Sequence, residues 1–208
     1  MRLWMSAAGT TRSRVLYLTL LLAASSLSGC ATMYVDNGIK DIAPVEFHHP
    51  QPSQPVQLLF TFETKGTPNG RATESLKKQV SDTVVASGVF SSVSGEPVTG
   101  GALMSIVINN VPITDNAFGK GFATGLTFGL AGNTVSDGYV CTLDFQAHPG
   151  SAKLSKVARH AIHTTVGAKG APPNATKAPS PRDAVTTMTR QIVGNALKDL
   201  TADPAFGQ

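Results

Sequence analysis

Apolar and polar residues alternate along four stretches of the chain, which is the pattern of half-buried β-strands. The first stretch runs from Val56 to Thr64, and the third and fourth cover about 138–147 and 156–166. The second, Ala102–Val111, carries apolar residues on both faces, which predicts a strand in the interior of a sheet. A turn at 148–151 joins the third and fourth strands into a hairpin.

Two other stretches have the spacing of amphipathic helices. In the first, about 72–87, apolar residues recur every four positions, and Gly88 occupies the place of a C-terminal cap. The second opens with Ser180, which can cap free amides, and Pro181, whose fixed φ suits the first helical position. The element order predicts an α+β fold: a two-layer sandwich of a roughly four-stranded, mainly antiparallel sheet with two helices on one face.

Residues 1–29 have the features of a cleaved export signal. Three arginines precede an apolar run of ten residues, 15–24, which is about half the ~20 residues of a membrane span. The residues Leu27-Ser28-Gly29-Cys30 follow, and they match the lipobox of bacterial lipoproteins. The chain resembles that class of protein. The resemblance implies cleavage before Cys30, which then carries a covalent diacylglyceryl group and an N-acyl chain.

A lipid on Cys30 implies an address and an organisation for the rest of the chain. Ala31 follows the cysteine where an aspartate would retain the protein, so the family analogy favours the outer membrane, with the domain facing the periplasm. Residues 30–55 contain four prolines and few apolar side chains, which predicts a lipidated flexible tether. A single domain then covers 56–203, and the lipid bilayer is the first expected partner.

Loss of the signal peptide nearly neutralises the chain. The full sequence carries 17 Lys and Arg against 13 Asp and Glu, and removal of the three N-terminal arginines leaves a formal charge of +1. A chain of this balance has no basic patch that argues for nucleic acid. We therefore expect no nucleic-acid partner.

The remaining cysteine and the histidines give no indication of a metal or catalytic site. Cys141 lies on the apolar face of the third predicted strand, which predicts an inert core residue. His160 and His163 are three positions apart on the fourth, so they point to opposite faces, and we expect surface or edge positions for them. His48-His49 lacks a third ligand. We predict no metal and no cofactor apart from the covalent lipid.

An apolar, glycine-rich insertion, 117–132, separates the second and third predicted strands. Its glycines recur every four residues, so a helix here would present a smooth stripe suited to close packing. The segment is shorter than a membrane span and includes Lys120. A loop or hairpin packed on the domain is one interpretation, and an apolar flap that contacts a membrane, a partner or another copy is the other. The candidate contact residues are Gly121, Phe122, Gly125, Leu126 and Gly129.

The sequence shows none of the common nucleotide-binding, zinc-protease or serine-hydrolase motifs. Its element order is similar to that of small domains in several periplasmic lipoprotein families, some of which activate peptidoglycan synthases or assist envelope assembly. The short domain, the flexible tether and the lack of a catalytic motif favour a non-catalytic binding or envelope-assembly module with an envelope protein as partner. Two alternatives stay open. One is a self-associating glycine-stripe oligomer that inserts into or perturbs a membrane, and the other is a cell-wall hydrolase, because sequence positions alone cannot establish a catalytic triad.

Overall fold

A computed structural model describes residues 31–113, 134–166 and 170–207, which form one mixed sheet and two α-helices. The helices are α1 (Gly70–Ala86) and α2 (Pro181–Thr201), and a short 3₁₀ turn covers Pro44–Glu46. In chain order, the strands are β1 (Ala31–Asp36), β2 (Val56–Thr64), β3 (Thr67–Pro68), β4 (Val93–Ser94), β5 (Ala102–Pro112), β6 (Thr134–Gln146), β7 (Leu154–Val166) and β8 (Ala175–Lys177).

The strands lie in the order β3-β2-β5-β6-β7-β1-β8, with β4 beside β2. β2 and β5 run parallel, because α1 carries the chain back along the sheet between them. β5, β6 and β7 form two long antiparallel ladders, and β1 pairs with β8 in the same sense. Since β5 lies between β2 and β6, the prediction of an interior strand is confirmed.

The prediction of a roughly four-stranded, mainly antiparallel sheet is wrong, although the α+β class and the two helices hold. The described residues form an eight-stranded mixed sheet. β3, β4 and β8 are two or three residues long, which is too short for an alternating pattern to show in the sequence. β1 lies in the segment that its prolines predict to be a flexible tether, so no strand was predicted there. The sheet is mixed because the helical crossover makes β2 and β5 parallel.

The segment between β1 and β2 is packed along α2, in contrast to the flexible tether that its prolines predict. Arg190 donates to both carboxylate oxygens of Asp41, at 2.6 and 3.0 Å. Lys198 donates to Glu46 at 2.7 Å. One turn later on α2, the Thr201 hydroxyl accepts from the His48 amide of the same segment at 3.3 Å. This segment therefore runs along α2 from the middle of the helix to its C-terminal end, and β1 is the first strand among the described residues.

Both helices cover the same face of the sheet. Ser180 caps α2 by accepting from the Asp183 amide, as its sequence predicts, and Asn69 caps α1 by accepting from the Ala72 amide. Cys141 lies in the core, where burial raises the pKa of its thiol to about 12, so the thiol stays protonated and inert. The largest fully buried apolar side chains of the core include Met104, Ile106, Ile108, Leu143, Phe145, Met188, Ile192, Leu197 and Leu200.

One end of the sheet, called the upper end below, collects the start of β1 and the start of both helices. Met33 of β1 accepts from the Ala178 amide at 2.9 Å, two residues before the Ser180 cap of α2. α1 begins here because it follows β2 after only the short β3. The strand ends at this side of the sheet are staggered, since Thr64 pairs through Asn110 and Tyr139 with His160, whereas Thr134 pairs with Thr165, five residues farther along β7.

Candidate functional site

The residues predicted for lipid attachment and for partner contact lie outside the described residues. These are Cys30 and the insertion residues Gly121, Phe122, Gly125, Leu126 and Gly129. The structure describes the chain on either side of them: β1 begins at Ala31, and Ile113 and Thr134 flank the insertion at the upper end of the sheet. Within the described ranges, neither helix is both long and apolar enough to cross a bilayer.

The two histidines of β7 are buried on opposite faces of the sheet, so their predicted surface or edge position is wrong. His160 and His163 are 0 % and 1 % exposed. On the helical face, His160 Nε2 donates to Gln191 Oε1 at 2.7 Å, and its Nδ1 accepts from the Ala161 amide at 2.9 Å. Burial lowers the pKa of His160, which favours the neutral ring. The described residues contain no group of three or more acidic, histidine or cysteine side chains that could hold a metal.

His163 belongs to a buried chain of three polar side chains on the other face. Its Nδ1 lies 2.7 Å from Ser136 Oγ, and its Nε2 lies 3.4 Å from Asp36 Oδ2. Asp36 Oδ1 also accepts from the Gly38 amide at 2.6 Å. Serine, histidine and aspartate are the residue types of a hydrolase triad. The sequence could not reveal these hydrogen-bonded side chains as a group, because Asp36 and His163 are 127 positions apart.

The surroundings of Ser136 favour a structural role for this chain over catalysis. Ser136 is only 5 % exposed and lies within the regular ladder between β6 and β7. Its carbonyl accepts from the Ile113 amide at 3.1 Å. A catalytic serine must reach a substrate carbonyl and face free amides that stabilise the oxyanion. The three side chains instead link β1, β6 and β7 and satisfy one another in the interior.

We expect the domain to lose stability on acidification because His160 is buried. Its pKa in the folded state lies below the ordinary value of 6.5, so the unfolded chain binds the proton more readily. This contribution to stability is complete above pH 6.5 and is lost as the pH falls from there through the lower pKa of the folded state. Urea unfolding at a series of pH values should show the loss. It should shrink in His160→Gln, whose amide can still donate to Gln191, and it should persist in His148→Gln at an exposed turn. An unchanged pH profile in His160→Gln would contradict this assignment.

A cavity of about 330 Å³ lies between α1 and α2, next to the segment that follows β1. Ile42 and Phe47 line it from that segment, and the Asp41–Arg190 ion pair lies at its edge. Gln79 crosses between the helices and donates to the Thr186 carbonyl at 2.5 Å. Most of the surface that faces this cavity is apolar. Its polar side chains make hydrogen bonds within the protein at Asp41, Gln79, Asp82, Thr83, Ser87 and Arg190.

A second cavity, called the upper cavity below, has a volume of about 370 Å³ and combines an apolar wall with a polar rim. It lies at the upper end of the sheet, between the first two turns of α1 and the start of α2. Tyr139 is 8 % exposed, and its hydroxyl makes no hydrogen bond to the residues that the structure describes. Burial, helped by the charge of Asp137, raises the pKa of Tyr139. The wall consists of Phe62, Ala72, Leu76, Tyr139 and Val185, and the rim of Asn69, Arg71 and Ser75.

Tyr139 and Arg71 were not among the sequence-predicted site residues. In the sequence, Tyr139 is one of several apolar residues on the inner face of a strand, and Arg71 is a charged residue at the start of a helix. Their association depends on how α1 crosses the sheet, which the sequence pattern does not define. The one available signal was Asn69-Gly70, a capping residue and a side-chain-free position that open α1 on the side of the cavity.

Comparisons with known proteins show distant structural likeness only. No family model matches the chain, and no curated protein matches its sequence. A variant of PelC from Paraburkholderia phytofirmans, solved as a dodecamer, is 12 % identical over 83 % of this chain and 98 % of its own, with a TM-score of 0.34. A second PelC dodecamer from that organism is 11 % identical over 82 % and 97 %, with a TM-score of 0.36. A candidate lipoprotein from Caulobacter crescentus CB15 is 10 % identical over 70 % and 84 %, with a TM-score of 0.27.

Proposed function

We propose that this protein is a lipoprotein of the bacterial envelope, held by an acylated Cys30, whose domain is a non-catalytic binding or assembly module at the membrane surface. The lipobox supports the lipid anchor, and the start of β1 at Ala31 supports a position of the domain close to the membrane. A lipid on Cys30 would leave no free linker between the acyl chains and the first strand of the sheet. The upper end of the domain would then lie against the headgroups of the bilayer.

The proposed anchor is strong enough to keep the domain in place. Each buried methylene contributes about 0.8 kcal/mol, and one acyl chain alone binds only reversibly. The diacylglyceryl group and the N-acyl chain together give three chains, so spontaneous release becomes negligible. Ala31 after the cysteine favours the outer membrane, with the domain facing the periplasm.

The exposed face of the sheet supports binding as the role of the domain. Leu59, Leu103 and Val157 lie on the face away from both helices and are 43 %, 38 % and 43 % exposed. The ladder between β2 and β5 makes Leu59 and Leu103 diagonal neighbours, and Val157 lies farther across the same face, on β7. Apolar side chains grouped on a half-polar surface are typical of contact with another protein. An envelope protein is the proposed partner for this face.

The burial of Ser136 supports the non-catalytic part of the proposal. A cell-wall hydrolase built on the Ser136, His163 and Asp36 chain would need an open path to the serine, whereas all three residues are at least 95 % buried. The glycine-stripe oligomer depends on residues outside the described ranges, so it stays a prediction.

Replacement of Cys30 tests the proposed anchor directly. Wild-type protein purified from membranes should give an N-terminal peptide that begins at Cys30 and carries the mass of three acyl chains. Cys30→Ser should remain at the precursor mass and incorporate no labelled palmitate, because the serine hydroxyl does not replace the thiol in lipid transfer. Cys141→Ser is the matched control, since that thiol is buried and should play no part. An unacylated wild-type N-terminus, or palmitate on Cys30→Ser, would refute the anchor.

A further inference from the structure

We propose that the exposed face of the sheet binds the same face of a second copy of this chain, with a two-fold axis that runs parallel to the strands between β5 and β6. The exposed face is the one away from both helices, across β2, β5, β6 and β7. This pairing rests on the proposed function, since it names the partner of the face described there. The charges and the strand register that support it do not depend on the lipid anchor.

The strand register determines which side chains this face presents. Each row across the face contains one residue from each of the four strands, and the next row lies two residues farther along, ~7 Å away. Three successive rows contain Leu59, Ser105, Asp144 and Ser155, then Thr61, Val107, Thr142 and Val157, then Glu63, Asn109, Val140 and Arg159. A half-apolar face of this kind can pack against a second sheet in the aligned geometry of a sandwich, with ~10 Å between the sheets.

The two charged residues of the third row, Glu63 and Arg159, lie at opposite edges of the face. Three strand spacings separate them, ~14 Å at ~4.8 Å per strand, which is too far for an ion pair within one chain. Neither forms an ion pair with another residue that the structure describes. Asp144, the other carboxylate of the face, is paired with Lys153 at 3.0 Å. The face therefore carries one unpaired charge of each sign, which allows it to pair with itself.

A two-fold axis parallel to the strands brings these opposite charges together. Because the axis runs between β5 and β6, β2 of each copy lies over β7 of the other. Glu63 then faces Arg159 of the partner subunit, and the symmetry gives a second, equivalent ion pair. An axis in the same plane but perpendicular to the strands would lay β2 over β2, so the opposite charges would remain on different edges of the dimer.

The parallel axis also allows both copies to be attached to one membrane. Rotation about an axis along the strands leaves the two β1 strands pointing in the same direction, so both copies present Ala31 at the same end. Two acylated Cys30 residues would then enter one bilayer, which raises the effective concentration of each copy for the other. The perpendicular axis would direct the two β1 strands to opposite ends.

The size of the face is that of a dimer that forms at a membrane surface. Four strands span ~19 Å, and the part of β5 from Leu103 to Asn109 spans ~24 Å, so two copies would cover about 900 Å² of flat sheet. This area is close to the ~1,000 Å² of the smallest specific interfaces. A pairing of this size is weak between free molecules and becomes stronger when both copies are held in one bilayer.

Cysteine crosslinking of the full-length chain in intact envelopes tests the pairing. Ser105 lies beside the axis, so Ser105→Cys should be joined to its own copy by a bismaleimide with a spacer of ~8 Å, given the ~10 Å between packed sheets. Ser75→Cys is the matched control, because Ser75 is exposed on α1, on the other side of the sheet. It should give no dimer, and neither should the wild-type chain, whose Cys141 is buried.

Charge reversal in the Ser105→Cys chain tests the orientation of the two copies. Glu63→Arg or Arg159→Glu alone should lower the yield of linked dimer about tenfold at equal expression, because each change turns two attractive contacts into repulsive ones. The two reversals together should restore the yield of the Ser105→Cys parent. Circular dichroism melting of each variant, expected at the temperature of the parent, distinguishes a loss of pairing from a loss of folding.

The pairing is wrong if Ser105→Cys and Ser75→Cys link equally, or if a folded double reversal does not recover the dimer. It is also wrong if Ser105→Cys gives no dimer with its own copy. A link to a different protein alone would be such a result, and it would leave the proposed binding role intact. A missing acyl group on Cys30, measured by mass spectrometry of the same samples, would instead refute the anchor, and the crosslinks would still decide whether the two faces pair.

Discussion

Asp36→Ala is expected to lower the free energy of unfolding by about 3 kcal/mol, because it removes the acceptor of a buried donor. The Asp36 side chain is buried and lies 3.4 Å from His163 Nε2. Its second oxygen accepts from the Gly38 amide at 2.6 Å and so fixes the turn after β1. The change therefore weakens both the attachment of β1 and the path of the chain that follows it. Urea unfolding, with the midpoint and the slope fitted separately, measures the loss.

The same substitution at Asp41 serves as the control. Asp41 lies in the same N-terminal segment and pairs with Arg190, but its side chain is 50 % exposed. Exposed ion pairs contribute about 1 kcal/mol or less, so Asp41→Ala should cost far less than Asp36→Ala. An equal loss of stability in the two variants would show that the buried hydrogen bonds from Asp36 through His163 to Ser136 contribute little to the stability of the domain.

Phe145→Ala should have the largest effect of any single truncation in the core, about 4 kcal/mol. Phe145 is 2 % exposed, and its ring lies 5.9 Å from that of Phe90 and 5.1 Å from that of Phe206. Its removal leaves a cavity and separates the C-terminal residues from the core. Because domains are stable by only about 5–15 kcal/mol, the variant should unfold at a much lower urea concentration.

A truncation on the exposed face of the sheet gives the comparison. Leu103→Ala removes an apolar side chain from β5 that is 38 % exposed, and we expect a loss below about 1 kcal/mol. The two variants together test whether the core lies between the sheet and the helices. A cost at Leu103 equal to that at Phe145 would contradict this placement.

The long elements of the fold follow from the sequence pattern. β2 has the predicted bounds, β5 differs by a single residue at its end, and both helices begin within two residues of their predicted starts. In each case a long periodic pattern agrees with a clear end signal, such as Ser180-Pro181 before α2. The end signals and the hydrophobic pattern indicate the same structure in these segments, so the sequence alone is sufficient to predict them.

The remaining features depend on contacts between distant parts of the chain. The pattern of β1 covers only six residues, and its stability comes from neighbours near the other end of the sequence, including Lys177 opposite Tyr34. The link from Ser136 to His163 follows from the register of β6 and β7, and the upper cavity depends on the crossing of α1 over the sheet. Alternation along a strand predicts which face a residue occupies, but not which residue lies opposite.

The position of β1 between β7 and β8 also has a consequence for the order of maturation and folding. Asn37, directly after β1, contacts Thr176 over a separation of 139 residues. Contacts between residues so far apart in the sequence form slowly, and this one can form only when nearly the whole chain is available. If Cys30 is acylated as proposed, the enzymes that modify it and remove the leader would act before β1 pairs with β8. Closure of the sheet would then follow lipid attachment.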